Sequence, residues 1–397
     1  MKDEKRKERS LNMEKHRKSI SSQPLVSAAR IAVLVVLAIL CFTVRAGAQS
    51  VYVGQLAGPW KITLVGNTGC GQTSMLFTGT LNSSGTAAGT LTSASGCGTS
   101  SSTQTFTITS LEYAEGTGTA ALSCGPGCGW SFDIQVDPGR QTFNLVDINN
   151  GAANVLAGTA VAVESTGITL AQLAAPWKID LVGNTGCGKT SLQFTGTANA
   201  AGTAVGTLTS ASGCGTSSSS QTFTITSLNA QGTGTAALSC GPGCGWNFDI
   251  QVAANRQLFN LVDVNNGGAN VLAGTAVAES FSPGYLNPGT WRIAIVGNTG
   301  CGVSSMLFSG SMNLSGTAVG TLTSASRCGT SSSTQTFRVT SLNAQGTGTA
   351  VLSCGPGCGW NFDIQVDATT VFNLVDVNNG DDNVLAGTAV YQGPIFQ

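Results

Sequence analysis

Histidine is nearly missing from this sequence. Of 397 residues only His16 carries an imidazole, and it lies in a basic leader. A chain that sheds the leader has none, which removes Ser-His-Asp and Cys-His catalysis, His-ligated zinc and histidine pH switching together. Charge is scarce as well. Ten of the 18 Lys+Arg and four of the 19 Asp+Glu fall in residues 1–48, so the remainder carries eight bases against fifteen acids. A mildly acidic body with scattered bases has no electrostatic footprint for nucleic acid. Helical periodicity is absent after residue 48, and no apolar run reaches the ~20 residues of a membrane-spanning helix.

What is there begins with an export signal. Lys2, Lys5, Arg6, Lys7, Arg9, Lys15, Arg17, Lys18 and Arg30 precede the apolar run Ile31–Val44, and Ala46-Gly47-Ala48 forms a small-x-small cleavage site before Gln49. Residues 1–48 therefore read as a signal peptide. The alternative is an uncleaved anchor through residues 31–44. Either places the body outside the cytoplasm: secreted, periplasmic or at the cell surface. Cys41 lies within the apolar core of this segment, and Leu40 before it is not the small residue of a lipidation site.

The body is one unit written three times, which assigns residues 49–164, 165–280 and 281–397 to three modules. Pro59-Trp60-Lys61-Ile62-Thr63-Leu64-Val65-Gly66-Asn67-Thr68-Gly69-Cys70-Gly71 returns from Pro176 and again, with substitutions, from Thr290. Cys-Gly-Pro-Gly-Cys-Gly-Trp starts at Cys124, Cys240 and Cys354; Phe-Asn-Leu-Val-Asp starts at Phe143, Phe259 and Phe372. Trp-to-Trp steps of 117 and 114 residues give each unit enough chain to bury its own core, so the copies read as beads rather than solenoid turns.

Within a unit the hydrophobic period is two. Trp60, Ile62 and Leu64 share one face; Trp130, Phe132, Ile134 and Val136 share another. Turn signals recur at Asn82-Ser83-Ser84-Gly85, Asp137-Pro138-Gly139 and Asn149-Asn150-Gly151. The first copy reads as eight strands, near 60–65, 74–82, 86–92, 103–111, 116–123, 129–136, 141–148 and 153–161. The fold class is all-β: three tandem antiparallel eight-stranded meander barrels, with a two-sheet sandwich as the alternative. Gly58-Pro59-Trp60 and Gly289-Thr290-Trp291 resemble the Gly-x-Trp that opens strand one of the calycin barrels, the lipocalins and avidins. The second copy departs with Ala175-Pro176-Trp177, and the mid-domain Asp-Tyr pair and late Arg of lipocalins have no counterpart. The resemblance implies barrel architecture only.

Cys41 apart, four cysteines fall in each copy: Cys70, Cys97, Cys124 and Cys128; Cys187, Cys214, Cys240 and Cys244; Cys301, Cys328, Cys354 and Cys358. An even count per module in an exported chain predicts disulfides rather than a Cys₄ zinc site. The favoured pairing joins Cys124 to Cys128 across Gly-Pro-Gly and Cys70 to Cys97 between loops. In a meander all four fall on one rim, with Trp60 at the opposite end.

Three motifs invite chemistry. Gly183-Asn184-Thr185-Gly186-Cys187-Gly188-Lys189-Thr190 spells a phosphate-binding loop. Such a loop needs a helix at its Lys-Thr, whereas Ser191–Thr197 reads as a strand and the sister copies carry Gln72 and Val303. Nucleotide is therefore not an expected partner. Asp147-Ile148-Asn149-Asn150-Gly151 and Asp376–Asp382 offer calcium-type oxygens without the fifth-position ligand or distal Glu of an EF-hand, so a hairpin turn is the simpler reading. Asp133, Asp249 and Asp363 lie opposite the Trp face and read as solvated strand residues. No catalytic, metal or cofactor site is assigned.

Trp130, Trp246 and Trp360, beside the cysteine rim, are candidate ligand-floor residues, with core packing as the competing role. The expected function is a non-enzymatic extracellular binding or structural module, repeated for avidity toward an unknown ligand or surface. The alternative is a carrier of a small apolar ligand, using room left by Gly79, Gly89 and Gly118. A carboxylate-dependent secreted enzyme comes third.

Overall fold

The computed structural model describes residues 51–397, except 114, 126, 149–153, 164–166, 242, 266–269, 280–285, 356–357, 368–369, 378–382 and 394–397. The export signal and the Asn149-Asn150-Gly151 turn lie outside the described residues. The first copy forms β1 (Gly58–Thr68), β2 (Gly71–Leu81), β3 (Thr86–Ser95), β4 (Gly98–Leu111), β5 (Thr117–Gly125), β6 (Cys128–Val136), β7 (Thr142–Val146) and β8 (Val155–Ala162). Each strand pairs antiparallel with the next, and β1 pairs with β8, closing a barrel. The second copy (β9–β16, Pro176–Ala278) and third copy (β17–β24, Gly289–Gly393) close in the same order. Sequential closure settles the choice between barrel and sandwich.

Alternation sends one face of every strand inward. Trp60 packs on Phe143 with ring centroids 4.8 Å apart, Phe143 stacks on Phe106 at 6.1 Å, and Phe106 meets Phe77 at 6.0 Å. The other barrels repeat this column as Trp177–Phe259–Phe223–Phe194 and Trp291–Phe372–Phe337–Phe308. The column occupies the space that glycine would leave. A Cβ on Gly79 would sit 2.8 Å from the Phe77 ring, and one on Gly89 would sit 2.3 Å from the Thr78 carbonyl oxygen. The space beside these two glycines is therefore already occupied. A 3-10 turn, Val53–Leu56, lies below Trp60, whose Nε1 donates to the Leu56 carbonyl at 2.8 Å. Trp177 does the same to Leu173 at 2.9 Å.

The barrels are not independent beads. Every residue of β7 is buried, although only Phe143 and Leu145 belong to the barrel's own core. The outward residues belong to a second core. Val65, Val146 and Ala157 join Val182, Val262, Ala273, Val296, Val375 and Ala386 from the other two copies. Burying each Val in this way contributes roughly 1.5–3 kcal/mol.

Hydrogen bonds close the same ring in three equivalent steps. Ser74 Oγ donates to the Asp263 carbonyl, Ser191 Oγ to the Asp376 carbonyl at 2.6 Å, and Ser305 Oγ to the Asp147 carbonyl. In return, Asn260 Nδ2 donates to the carbonyls of Lys61 and Thr159 at 3.3 and 3.2 Å. Asn373 does so to Lys178 and Thr275, each at 3.3 Å, and Asn144 to Arg292 and Thr388 at 3.4 and 3.2 Å. First copy binds second, second binds third, third binds first: a closed ring with pseudo-threefold symmetry. The Asn and Asp of each Phe-Asn-Leu-Val-Asp motif are interface residues.

Candidate ligand-binding mouths

The six disulfides are Cys70–Cys97, Cys124–Cys128, Cys187–Cys214, Cys240–Cys244, Cys301–Cys328 and Cys354–Cys358, with Cα–Cα distances between 5.1 and 5.5 Å. They consume all four thiols of each copy, which leaves no Cys₄ metal site there. Strand order puts both disulfides of a barrel on one rim. One staple ties the β1–β2 tip to the β3–β4 tip; the other closes the β5–β6 tip on itself. Chain entropy assigns roughly 3–4 kcal/mol to the longer loop and ~2 kcal/mol to the shorter. Six disulfides point to an oxidising, extracytoplasmic compartment. Among the described residues no helix is long and apolar enough to cross a membrane.

At this rim the barrel comes apart along one seam. In the third copy β19 (Thr317–Ser326) pairs with β20 (Gly329–Leu342) along its full length, from Thr317–Arg338 to Ser326–Gly329. The pairing of β20 with β21 (Thr347–Gly355) reaches only as far as Phe337–Leu352. Beyond it Gly329–Thr334 is exposed on both faces. The seam is pinned where it opens: the Thr336 amide donates to Ser353 Oγ at 2.8 Å, and Ser353 Oγ donates to Gln335 Oε1 at 2.8 Å. The sequence accounts for the parting. The apolar alternation of Phe337 and Val339 gives way upstream to Thr330-Ser331-Ser332-Ser333-Thr334, which offers no apolar face to hold a closed wall.

The result is a slot of about 530 Å³ between two stapled hairpins. Its walls include Thr299, Ser304, Ser324, Ser326 and Ser331, with Met306, Trp360 and Asn383 further around it, and no charged side chain among the described residues. Trp360 sits on β22 (Cys358–Val366) and is part-exposed. Its Nε1 donates to Asn383 Oδ1 at 3.1 Å, which fixes the ring plane. The hydroxyls are ordered by one another: Ser324 and Ser331 are 2.8 Å apart across the β19–β20 ladder, and Thr299 and Ser304 are 2.8 Å apart. The first two copies carry the matching Trp130 and Trp246, each 8% exposed, and the matching Ser93–Ser100 and Ser210–Ser217 pairs at 2.8 Å. All three candidate Trp residues thus stand at the rim end of their barrels, at the edge of the core.

The other sequence candidates fall elsewhere. Lys189 lies on β10 (Gly188–Ala198), a strand, and its Nζ donates to Asn298 Oδ1 of the third barrel. The phosphate-loop spelling therefore has no helix behind it; its lysine joins two neighbouring rims. Burial pushes that ammonium below the usual lysine range, with Arg327 adding to the shift. Asp147 is fully buried, with its carbonyl taken by Ser305.

Asp133, Asp249 and Asp363 are not solvated faces, as the strand pattern suggested. They are half-buried at the junctions between barrels. Asp249 opposes the downward shift that burial imposes on Lys61, and Asp133 does the same for Arg292. Nothing in the alternation within one copy could show this, because the facing base comes from another copy.

A small cavity of about 40 Å³ lies where the barrels meet, lined by five residues from each, including Thr63, Asp180 and Ala294 at equivalent positions. It has room for no more than a few waters. Asp180 Oδ2 is buried there with no hydrogen-bond partner. Burial pushes this carboxyl up to about 7, against the pull of Lys178.

No family model and no curated protein matches this chain. Among solved structures, CghA is similar over 85% of this chain and 89% of its own, at 8% identity and a TM-score of 0.23. CghA with Sch210972 gives 9% identity and a TM-score of 0.22, over 84% of this chain and 88% of that one. A Nostoc punctiforme protein of unknown function from the DUF3598 family gives 12% identity and a TM-score of 0.19, over 57% of this chain and 97% of its own. Likenesses this faint carry no functional argument and add nothing to the calycin resemblance.

Proposed function

We propose that this chain is an exported, non-enzymatic binding protein that presents its three disulfide-stapled barrel rims to one extracellular target. The observation that carries the reading is the slot of the third barrel: a stapled mouth, uncharged among the described residues, with one oriented Trp, above the aromatic column. Binding needs such preorganisation, because fixed walls lower the entropy cost of capture. The shared core and the Lys189–Asn298 bond hold the rims side by side. Three rims then meet a repetitive surface at high effective concentration.

Hydrolytic or transfer chemistry would need a nucleophile or an acid–base pair in the slot, and its described walls hold hydroxyls without a base beside them. The test is graded inactivation in the full chain, since a severed copy would expose its interface. Trp360→Ala, then Trp360→Ala with Trp246→Ala, then all three, should weaken retention on an extracellular polymer or cell-wall preparation in steps steeper than one third each. Equal retention by the triple variant would end the proposal.

A further inference from the structure

The walls of the slot also say what kind of molecule it takes. Resting on the reading of the rim slot as the binding site, we propose that its ligand is a neutral, polyhydroxylated chain, an oligosaccharide. Charge argues first. Among the described residues the lining carries no charged side chain, so a phosphate, a carboxylate-bearing peptide or a cation would find no opposite charge on these walls to bind it.

Polarity argues next. Thr299, Ser304, Ser324, Ser326, Thr330 and Ser331 put hydroxyls into the walls, and each hydroxyl both donates and accepts. Ser324 and Ser331 already form a cross-strand pair at 2.8 Å. Such a row matches a ligand that alternates donors and acceptors along its length. A purely apolar ligand would strand those groups.

Trp360 supplies the complementary element. With Nε1 committed to Asn383 at 3.1 Å, the indole offers a ligand its electron-rich face rather than its donor. Polarised C–H groups on one side of a sugar ring suit that face. Shape is the fourth argument. The parted β20–β21 seam leaves the slot open at the side as well as at the rim. A linear chain can lie across such a slot, whereas a closed cup would take only a chain end.

The experiment is titration of the oxidised full chain with linear gluco-, manno-, galacto- and chito-oligosaccharides, read by tryptophan fluorescence and calorimetry, with an apolar dye as a parallel probe. At least one series should bind, tighten with chain length, and lose at least roughly tenfold in affinity in the triple Trp130→Ala, Trp246→Ala, Trp360→Ala variant, the loss expected of an anchoring aromatic. Ser331→Ala with Ser324→Ala keeps the Trp and should weaken binding with the fold intact by circular dichroism. If no oligosaccharide binds at roughly 1 mM while the dye binds in a Trp360-dependent way, the ligand class is overturned and the slot reading survives. If neither binds, both are overturned.

Discussion

Asn144 of the first barrel donates to the carbonyl of Thr388 in the third, 3.2 Å away and fully buried. Its counterparts Asn260 and Asn373 make the same reach around the ring. Asn144→Ala would remove two hydrogen bonds between barrels, which costs about 1–3 kcal/mol. Chemical denaturation should show that loss for each single variant. The triple variant should lose the cooperativity that makes the three barrels unfold together.

A copy cut from the chain exposes the apolar surface that its neighbours cover. Residues 281–397 expressed alone should therefore assemble as a threefold oligomer, measurable by light scattering after gel filtration. Residues 165–280 should do so poorly above pH 7. Their ring would bring three Asp180 carboxylates into one small cavity, where the native chain holds Thr63, Asp180 and Ala294.

Stability should fall as the pH rises through neutrality. Burial pushes Asp180 up to about 7, and it does the same to Asp367, with Asp137 adding to that shift. A carboxyl that holds its proton more tightly folded than unfolded stabilises the protein below the unfolded value near 3.8. That contribution is lost as the pH climbs through about 7. Melting temperature should decline between these limits. Asp180→Thr and Asp367→Ala, which copy the sister residues Thr63 and Ala253, should flatten the decline and raise Tm at pH 8 by on the order of several degrees.

Removing the staples should cost binding before it costs the fold. Cys301→Ser with Cys328→Ser should destabilise by roughly 3–4 kcal/mol in the chain-entropy model, while the aromatic column keeps the barrel closed. Ligand affinity at that rim should drop further, because the two hairpin tips that form one wall come untied. Differential scanning calorimetry beside the same binding titration separates the two effects.

Lys189→Gln or Lys189→Val copies the sister residues Gln72 and Val303. Either should leave the fold intact and cost at most about 1 kcal/mol, since the bond to Asn298 is only part-buried. Addition of ATP with magnesium should shift the melting temperature of neither variant nor parent.

The barrel was legible because its cause is local: period-two strands, turn residues and four cysteines per copy. The ring was not, and the reason is chemical. Ser74, Asn144 and Asp133 are polar residues on outward faces, the ordinary signature of a wet surface, and their partners come from another copy. One sign was there to read. Val155-Leu156-Ala157-Gly158-Thr159-Ala160-Val161 on β8 is apolar on both faces apart from Thr159, and such a strand is covered on both sides. The slot was half legible. Cysteine and Trp spacing marked its rim, but its shape depends on where β4 leaves β5, which is set by how far the serine-rich stretch can hold its neighbour.

The ring also limits how often the repeat can be copied. Within each barrel the first strand pairs with the last, so a copy begins and ends at nearly one place and can be duplicated end to end without rethreading. Rotation closes after three steps, and the third copy already docks on the first. A fourth repeat would find every matching face taken and would hang outside the ring with its apolar side bare. Gene duplication can supply further copies, but the geometry accepts three.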